Sequence, residues 1–441
     1  EALGAHLERF SSFFVTRTRD VTATFYGYVR GLFQSERATM LRMSEVNAVD
    51  HQAMQHMLTE GVVDWVGFGE QIARETDALL GGANSVLLID ESAFSKKGEA
   101  SAGVARQWNG RLGKVDNCQV GVFAALCRGE LASLIDARLY LPKDWVAAAA
   151  RCDQAAIPQA ARRFRSKTGF ALELVETALA RGVRFGYLGV DAGYGKEPGF
   201  LRALDASATH FVADVHGDQM IYLQDPKPQV PAWSGRGRTP LQLKAQTTPV
   251  RVDHWAAEQP PEAWRRLTLR EGEKGRLTAD YLQARVWLWD GEEPQARCWH
   301  LLVRRERGAS EMAHYSLSNA PAETPLPELA RVQAQRFFIE HSFREAKSEC
   351  GLAEYQVRRW DAWHHHMALV MLATLFLVKQ KLEGRNHWPM LSFNDLVTAL
   401  AHLLPKRQLT AEELADIITK RHRLRQRAKA SQTRRSMTAL E

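Results

Sequence analysis

At 441 residues, 45% hydrophobic and 25% charged, the chain has the composition of a globular protein with room for roughly two or three domains, which excludes wholesale disorder. Its longest strongly apolar run, Met367 to Val378, is too short to span a bilayer, no charged-then-apolar leader opens it, and five irregularly spaced cysteines without a CxxC pair argue against a zinc ribbon or disulfide framework. Basic residues exceed acidic ones by seven, so the expectation is a soluble, cytoplasmic protein that meets a polyanion and no membrane.

Residues 1–80 read as helical. Apolar residues recur at helical spacing through Phe25, Tyr28, Val29, Leu32 and Phe33, and again through Met54, Met57, Leu58, Val62 and Trp65. Arg30, Arg37 and Arg42 among them suit either a DNA-contacting domain or a solvated face. After Gly81 and Gly82 the period changes. Ser85 to Asp90 reads as a buried strand ending in an acid, and Phe185 to Asp191 as a second. Between them, Gln119 to Cys127 and Leu131 to Leu141 form a hairpin, and 167–182 an amphipathic helix. A short helix from Pro198 and a strand at Thr209 to Val215 follow. This order, over 81–215, matches the first part of a ribonuclease-H-like α/β catalytic core. Ligands in such sheets sit at the carboxyl ends of strands, where Asp90 and Asp191 fall.

From 216 to 325, Pro/Gly-rich sequence and strand-like runs at Arg266 to Leu269, Leu277 to Trp289 and Cys298 to Val303 indicate a β-rich insertion. Helices return from Glu328: 326–383 completes the core and 384–441 is a helical C-terminal region. The segment Lys420 to Arg435 carries eight basic residues and no acid, so the charge excess resides there. Lys420, Arg421, Arg423, Arg425 and Arg427 are candidates for DNA phosphates, against a solvated helix end or disordered tail.

A third acid, Glu340, lies on the helix that begins near Glu328. Taken as one helix at about 100° per residue, Gln333 lies +20°, Arg336 −40° and Lys347 −20° from Glu340, beside an apolar flank of Val332, Ile339, Phe343 and Ala346. An amphipathic helix with solvated charges is the alternative. Asp90, Asp191 and Glu340, from two strand ends and a helix, suit two Mg2+ ions, with Mn2+ as a substitute, because such ions take hard oxygen ligands.

Several stretches in order carry a resemblance: Ile89-Asp-Glu-Ser-Ala-Phe-Ser-Lys-Lys-Gly98, Gly103-Val-Ala-Arg-Gln107 to Asp116-Asn-Cys-Gln119, and Arg138-Leu-Tyr-Leu-Pro-Lys-Asp-Trp145. Asp191-Ala-Gly-Tyr-Gly195, Tyr315-Ser-Leu-Ser-Asn-Ala320 and the Glu340 segment through Gly351, Tyr355 and Arg358 to Trp363 continue it. Together they resemble the bacterial insertion-sequence DDE transposases, of the insertion-sequence-four superfamily and its insertion-sequence-seven-hundred-one branch. The superfamily's Tyr-x2-Arg-x3-Glu-x6-Lys signature falls on Gln333, Arg336, Glu340 and Lys347, so the tyrosine is missing here. The resemblance implies catalysis by Asp90, Asp191 and Glu340, with Arg336, Lys347 and Gln333 near DNA.

Lys96 and Lys97, just after the first strand, are further DNA candidates against a solvated turn. Trp287, Trp289 and Trp299 lie in the insertion; the resemblance allows one, Trp299, to stack on an unpaired base, against ordinary packing. His364-His-His366 cannot converge on one ion, because adjacent helical residues diverge. Asp116 and Asp136 are expected to be structural. Asp191-Ala-Gly-Tyr-Gly-Lys196 lacks the first glycine and the Ser/Thr of a P-loop, so no nucleotide cofactor is expected. The function expected is a transposase that binds its element's terminal repeats, cleaves there and joins the ends to target DNA, as a homodimer on double-stranded DNA. A catalytically idle DNA-binding derivative and a nuclease of the same fold without strand transfer are the alternatives.

Overall fold

The computed structural model describes residues 1–272, 275–306 and 313–438. The N-terminal part folds into α1 (Ala2–Glu8), α2 (Thr22–Gln34), α3 (Met40–Val46), α4 (His51–Thr59) and α5 (Trp65–Leu80), helical as expected, except that Val62 falls in the exposed loop between α4 and α5 rather than on one continuous helix. Asp50 and Asp64 accept N–H bonds from the first turns of α4 and α5 and so cap them. Phe14 stacks on Phe25 inside this layer, centroids 4.0 Å apart.

The sheet begins with β1 (Gly82–Ser95), β2 (Ala105–Asn109), β3 (Lys114–Arg128) and β4 (Leu131–Leu139). Then come α6 (Lys143–Ala147), α7 (Ala149–Gln154), α8 (Lys167–Ala180), β5 (Phe185–Val190), α9 (Ala192–Gly195), α10 (Pro198–Ala206) and β6 (Phe211–Val215). A two-stranded ribbon, β7 (Met220–Ile221) with β8 (Val250–Arg251), and α11 (Val252–Ala257) precede β9 (Arg265–Gly272), β10 (Gly275–Leu288), β11 (Arg297–Glu306) and β12 (Ala313–Ser318). The chain closes with α12 (Leu326–Gln335), α13 (Phe337–Glu349), α14 (Trp360–Gly384), α15 (Phe393–Leu403) and α16 (Ala411–Thr438).

Among the described residues ten strands share one sheet, in the order β2-β3-β1-β5-β6-β12-β11-β10-β9 with β4 also on β3. β1, β5 and β6 are parallel and the other pairings antiparallel. The fold is therefore mixed α/β with helical ends. β9 to β12 make no sheet of their own; β12 pairs with β6, so they extend the central sheet.

Parallel strands are covered on both faces, and β1 shows it: Val86, Leu87, Leu88 and Ile89 are all buried. Which helix covers which face follows from the register. Phe123 contacts Phe343 of α13 and Trp363 of α14, and its partner on β1 is Asp90. Directly opposed residues share a face, so Asp90 looks toward α13. Val122 points the other way; its partner Arg138 bonds Glu173 and Thr177 of α8, which covers the opposite face. No helix among the described residues is long and apolar enough to cross a membrane, the buried α14 included.

Candidate active site

Asp90 ends the fully buried run of β1 and is itself only 8% exposed. Its Oδ1 accepts the Glu91 N–H at 2.7 Å. Asp191 follows β5 directly, and the pairing of Ile89 with Val190 sets the two acids side by side; only Asp191 stands at a strand end as expected, because β1 runs on past Asp90 to Ser95 in its ladder with β3. Asp191 caps α9: its Oδ1 accepts from Gly193 N at 2.9 Å and Tyr194 N at 3.3 Å. A Cβ on Gly195 would lie 1.9 Å from the Asp214 carbonyl oxygen, so glycine is what lets this turn lie against β6.

Glu340 comes from α13. The helix expected to run unbroken from Glu328 is interrupted at Arg336, whose N–H reaches back three residues to Gln333 rather than four. The single polar stripe is corrected at its Gln333 end, which is buried, while Arg336 and Glu340 stay paired. Gln333, expected near DNA, is 6% exposed and donates to Ser316 Oγ at 2.6 Å. Ser316 donates to Asp214 Oδ1 at 2.6 Å, and Asp214 Oδ2 accepts from Arg336 Nε at 2.6 Å. Arg336 reaches Glu340 Oε1 with its NH1 at 3.0 Å. Asp214, in β6, was not singled out from the sequence; its pairing with Ser316 across β6 and β12 is a long-range fact.

The electrostatics tie these groups together. Burial, and then the neighbouring Asp191 charge, raise the Asp90 pKa well above the ordinary carboxylate range; Arg336 opposes this and Glu340 adds to it. Burial likewise raises Asp214, against the pull of Arg336 and Ser316. Burial disfavours the Arg336 charge, but Asp214, Glu340, Asp90 and Asp191 outweigh it and raise its pKa. One guanidinium thus serves four acids.

That surplus of negative charge is what a divalent cation would relieve. Each aspartate keeps one oxygen on backbone N–H groups and leaves Oδ2 without a described donor. These are hard donors of the kind Mg2+ takes. No group of three or more His, Cys, Asp or Glu among the described residues stands ready-made to hold an ion. Glu340 is paired with Arg336. The donor chemistry fits such an ion; the third carboxylate is engaged elsewhere.

The family model of the DDE superfamily endonucleases matches residues 11–276, more than half of the chain and including both aspartates. The chain belongs to this family. It is 21% identical over 346 residues, 78% of each chain, to the probable transposase for insertion sequence element IS701 of Microchaete diplosiphon. The resemblance to insertion-sequence transposases is borne out. Among solved structures, the NurA nuclease from Sulfolobus solfataricus is matched over 73% of this chain and 93% of that one, at 9% identity and a TM-score of 0.26, on which no fold assignment rests.

The remaining candidates of this DDE endonuclease are spread more widely. Lys347 lies over the Phe94 ring at 5.4 Å, and burial, with Arg111 nearby, lowers its pKa to about 8. Lys96 Nζ sits 3.5 Å above the Tyr355 ring, its pKa lowered by burial to about 8, whereas Lys97 is exposed. Trp299, expected to stack on a base, is 7% exposed and packs edge-on against Phe211 at 5.1 Å. That expectation is corrected: the strand face that carries it is covered.

The C-terminal segment is no disordered tail but the helix α16. Arg421 is not free; its Nε meets Glu45 of α3 at 2.9 Å, and Arg42 meets the same carboxylate at 3.0 Å. Lys420, Arg423, Arg425 and Arg427 are exposed, while the side chains of Arg434 and Arg435 lie outside those described. The three histidines diverge as expected: His364 to the Trp360 carbonyl, His365 to the Leu58 carbonyl and His366 to the Tyr28 hydroxyl. Asp116 bonds Ser95 and Asn109, and Asp136 pairs with Arg138 and Arg181, both structural.

Proposed function

We propose that the chain is a metal-dependent DNA transposase with a ribonuclease-H-like core, in which Asp90, Asp191 and Glu340 hold two Mg2+ ions. The observation that carries this reading is the pair of acids side by side on adjacent parallel strands, with Arg336 and Glu340 in electrostatic reach. Bound there, the ions would supply neutralising charge to the entering and leaving oxygens of an in-line phosphoryl transfer. Asp90 and Asp191 would hold the ions through their Oδ2 oxygens, and Glu340 would complete the set once released from Arg336. Arg336, held from behind by Asp214, then has donors to spare for a DNA phosphate, and Lys347 a charge for a second. The likeness to the IS701 transposase favours terminal-repeat binding, cleavage and joining to target DNA by a homodimer in the cytoplasm. In this reading the helical layer of residues 1–80 and α16 add DNA contacts around the core.

A Mg2+-dependent assay on duplexes carrying the element's ends tests it. Joined product supports the transposase; cleavage without joining indicates a nuclease of the same fold; binding without cleavage indicates an idle derivative.

A further inference from the structure

The β2–β3 hairpin projects past the end of β1 and carries an unusual surface. On β2, Ala105, Gln107 and Asn109 turn inward, where Gln107 and Asn109 are hydrogen-bonded, while Arg106 and Trp108 point out. Trp108 is 55% exposed, and its cross-strand partner Val115 is exposed too. No ring or cation partners the indole among the described residues. An exposed tryptophan on a two-stranded ribbon loses favourable burial unless something covers it.

The surroundings say what kind of partner would. Arg106 lines a cleft of about 1230 Å3 together with Lys97 and Arg358. None of these three cations has an ion-pair partner among the described residues. The cleft is built rather than incidental: Asn117, opposite Arg106, donates to the carbonyls of Lys96 and Gly98 at 2.7 and 3.1 Å, and Ala102 N–H bonds the Arg358 carbonyl at 2.8 Å. Arg111, in the hairpin turn, lies near enough to Lys347 to affect its charge, which links the hairpin to the helix bearing Glu340.

Unpaired cations beside one bare aromatic face are how proteins hold single-stranded nucleic acid: the cations track phosphates and the ring stacks on a base. Inside a paired duplex the bases are stacked on one another and offer that ring no free face. We infer that the cleft and the hairpin form a second DNA site, in which Lys97, Arg106 and Arg358 bind the phosphates of an unpaired strand and Trp108 stacks on one of its bases. This rests on reading the chain as a DNA-cleaving enzyme, and it gives that enzyme a grip on the single strand exposed when DNA ends open.

The test uses the full chain and two DNAs, a blunt duplex and the same duplex with a single-stranded extension containing 2-aminopurine. Trp108→Ala should weaken binding of the extended DNA about tenfold, and of the blunt DNA less than about twofold, since one stacked base is worth roughly that factor. Wild type and Trp108→Phe should quench 2-aminopurine fluorescence, and Trp108→Ala should not. Replacing Arg106 and Arg358 by Gln should flatten the salt dependence on the extended DNA by about 0.7 per lost phosphate contact. Equal affinity of Trp108→Ala and wild type for the extended DNA, or an equal loss on both DNAs, would overturn the inference. Wild type that binds and cuts neither DNA would overturn the enzyme reading itself, which is a different result.

Discussion

Arg336 and Asp214 are joined at 2.6 Å through the guanidinium Nε, and this pairing fixes a cation that lies among the catalytic acid candidates. Asp214 reaches its place through Ser316 on the neighbouring strand and Gln333 beneath it. A sheet residue thereby orients a helix residue that touches Glu340. Asp214→Asn keeps the shape but loses the charge that holds Arg336. Its kcat for DNA cleavage should fall about ten- to a hundredfold, the scale of a small misplacement at a reacting centre. DNA affinity should change little, and Asp214→Glu should recover part of the loss. Steady-state kinetics of the three proteins decide it; an unchanged kcat in Asp214→Asn would free Arg336 from this dependence.

Asp90→Asn, Asp191→Asn and Glu340→Gln should each abolish cleavage while DNA still binds, because ligand oxygens are lost and phosphate contacts are not. Excess chelator should do the same to wild type, with activity restored by Mg2+ or Mn2+ but not Ca2+, whose larger, looser shell misplaces the reacting oxygens. Cleavage within about tenfold of wild type in any one variant removes that acid from the set.

Truncation after Arg421 leaves the Glu45 clasp intact and removes six cations, Arg423, Arg425, Arg427, Lys429, Arg434 and Arg435. Duplex DNA affinity should fall, and the log K against log salt slope should lose up to about 5 units at roughly 0.9 per neutralised phosphate. Titrations at several salt concentrations measure this; parallel lines for the two proteins mean that α16 does not touch DNA. Because the segment is a helix and not a loose arm, loss of sequence discrimination on truncation is also expected.

Acid should destabilise the chain earlier than its carboxylates would suggest. Burial lowers the pKa of His6 to about 4, and of His364 and His366 to about 3, from the ordinary 6.5. Below pH 6.5 the unfolded chain takes up protons that the folded chain refuses, so stability present at neutral pH is lost as pH falls from 6.5 toward 4. Each such histidine adds a slope of up to about 1.4 kcal/mol per pH unit. Urea unfolding at pH 7, 6 and 5 should show falling midpoints, with a shallower fall in His366→Gln. A flat midpoint across that range would mean that these histidines ionise within the fold.

The sequence by itself determined the elements whose signal is local. Ser85 to Asp90 and Phe185 to Asp191 declare buried strands because apolar runs this short suit a strand covered on both faces better than a helix, and the acids that close the runs follow from adjacency in the chain. The helical N-terminal layer and the β3–β4 hairpin were legible for the same reason, and the family motifs pointed to the Glu340 segment. Only the tertiary structure decided how that segment is used. Helical periodicity projects every residue onto one axis, so it could not show that Gln333 is buried against Ser316 while Glu340, on the same stripe, stays partly exposed. Nor could it name Asp214, whose partners lie 102 and 122 residues away. Burial of a large aromatic side chain is a property of what packs over it: Trp299 lies against Phe211 and Trp108 stands bare, though both sit in strands. Exposure, charge pairing and the identity of the fourth acid are sums over contacts distant in sequence, and those exist only once the sheet has closed.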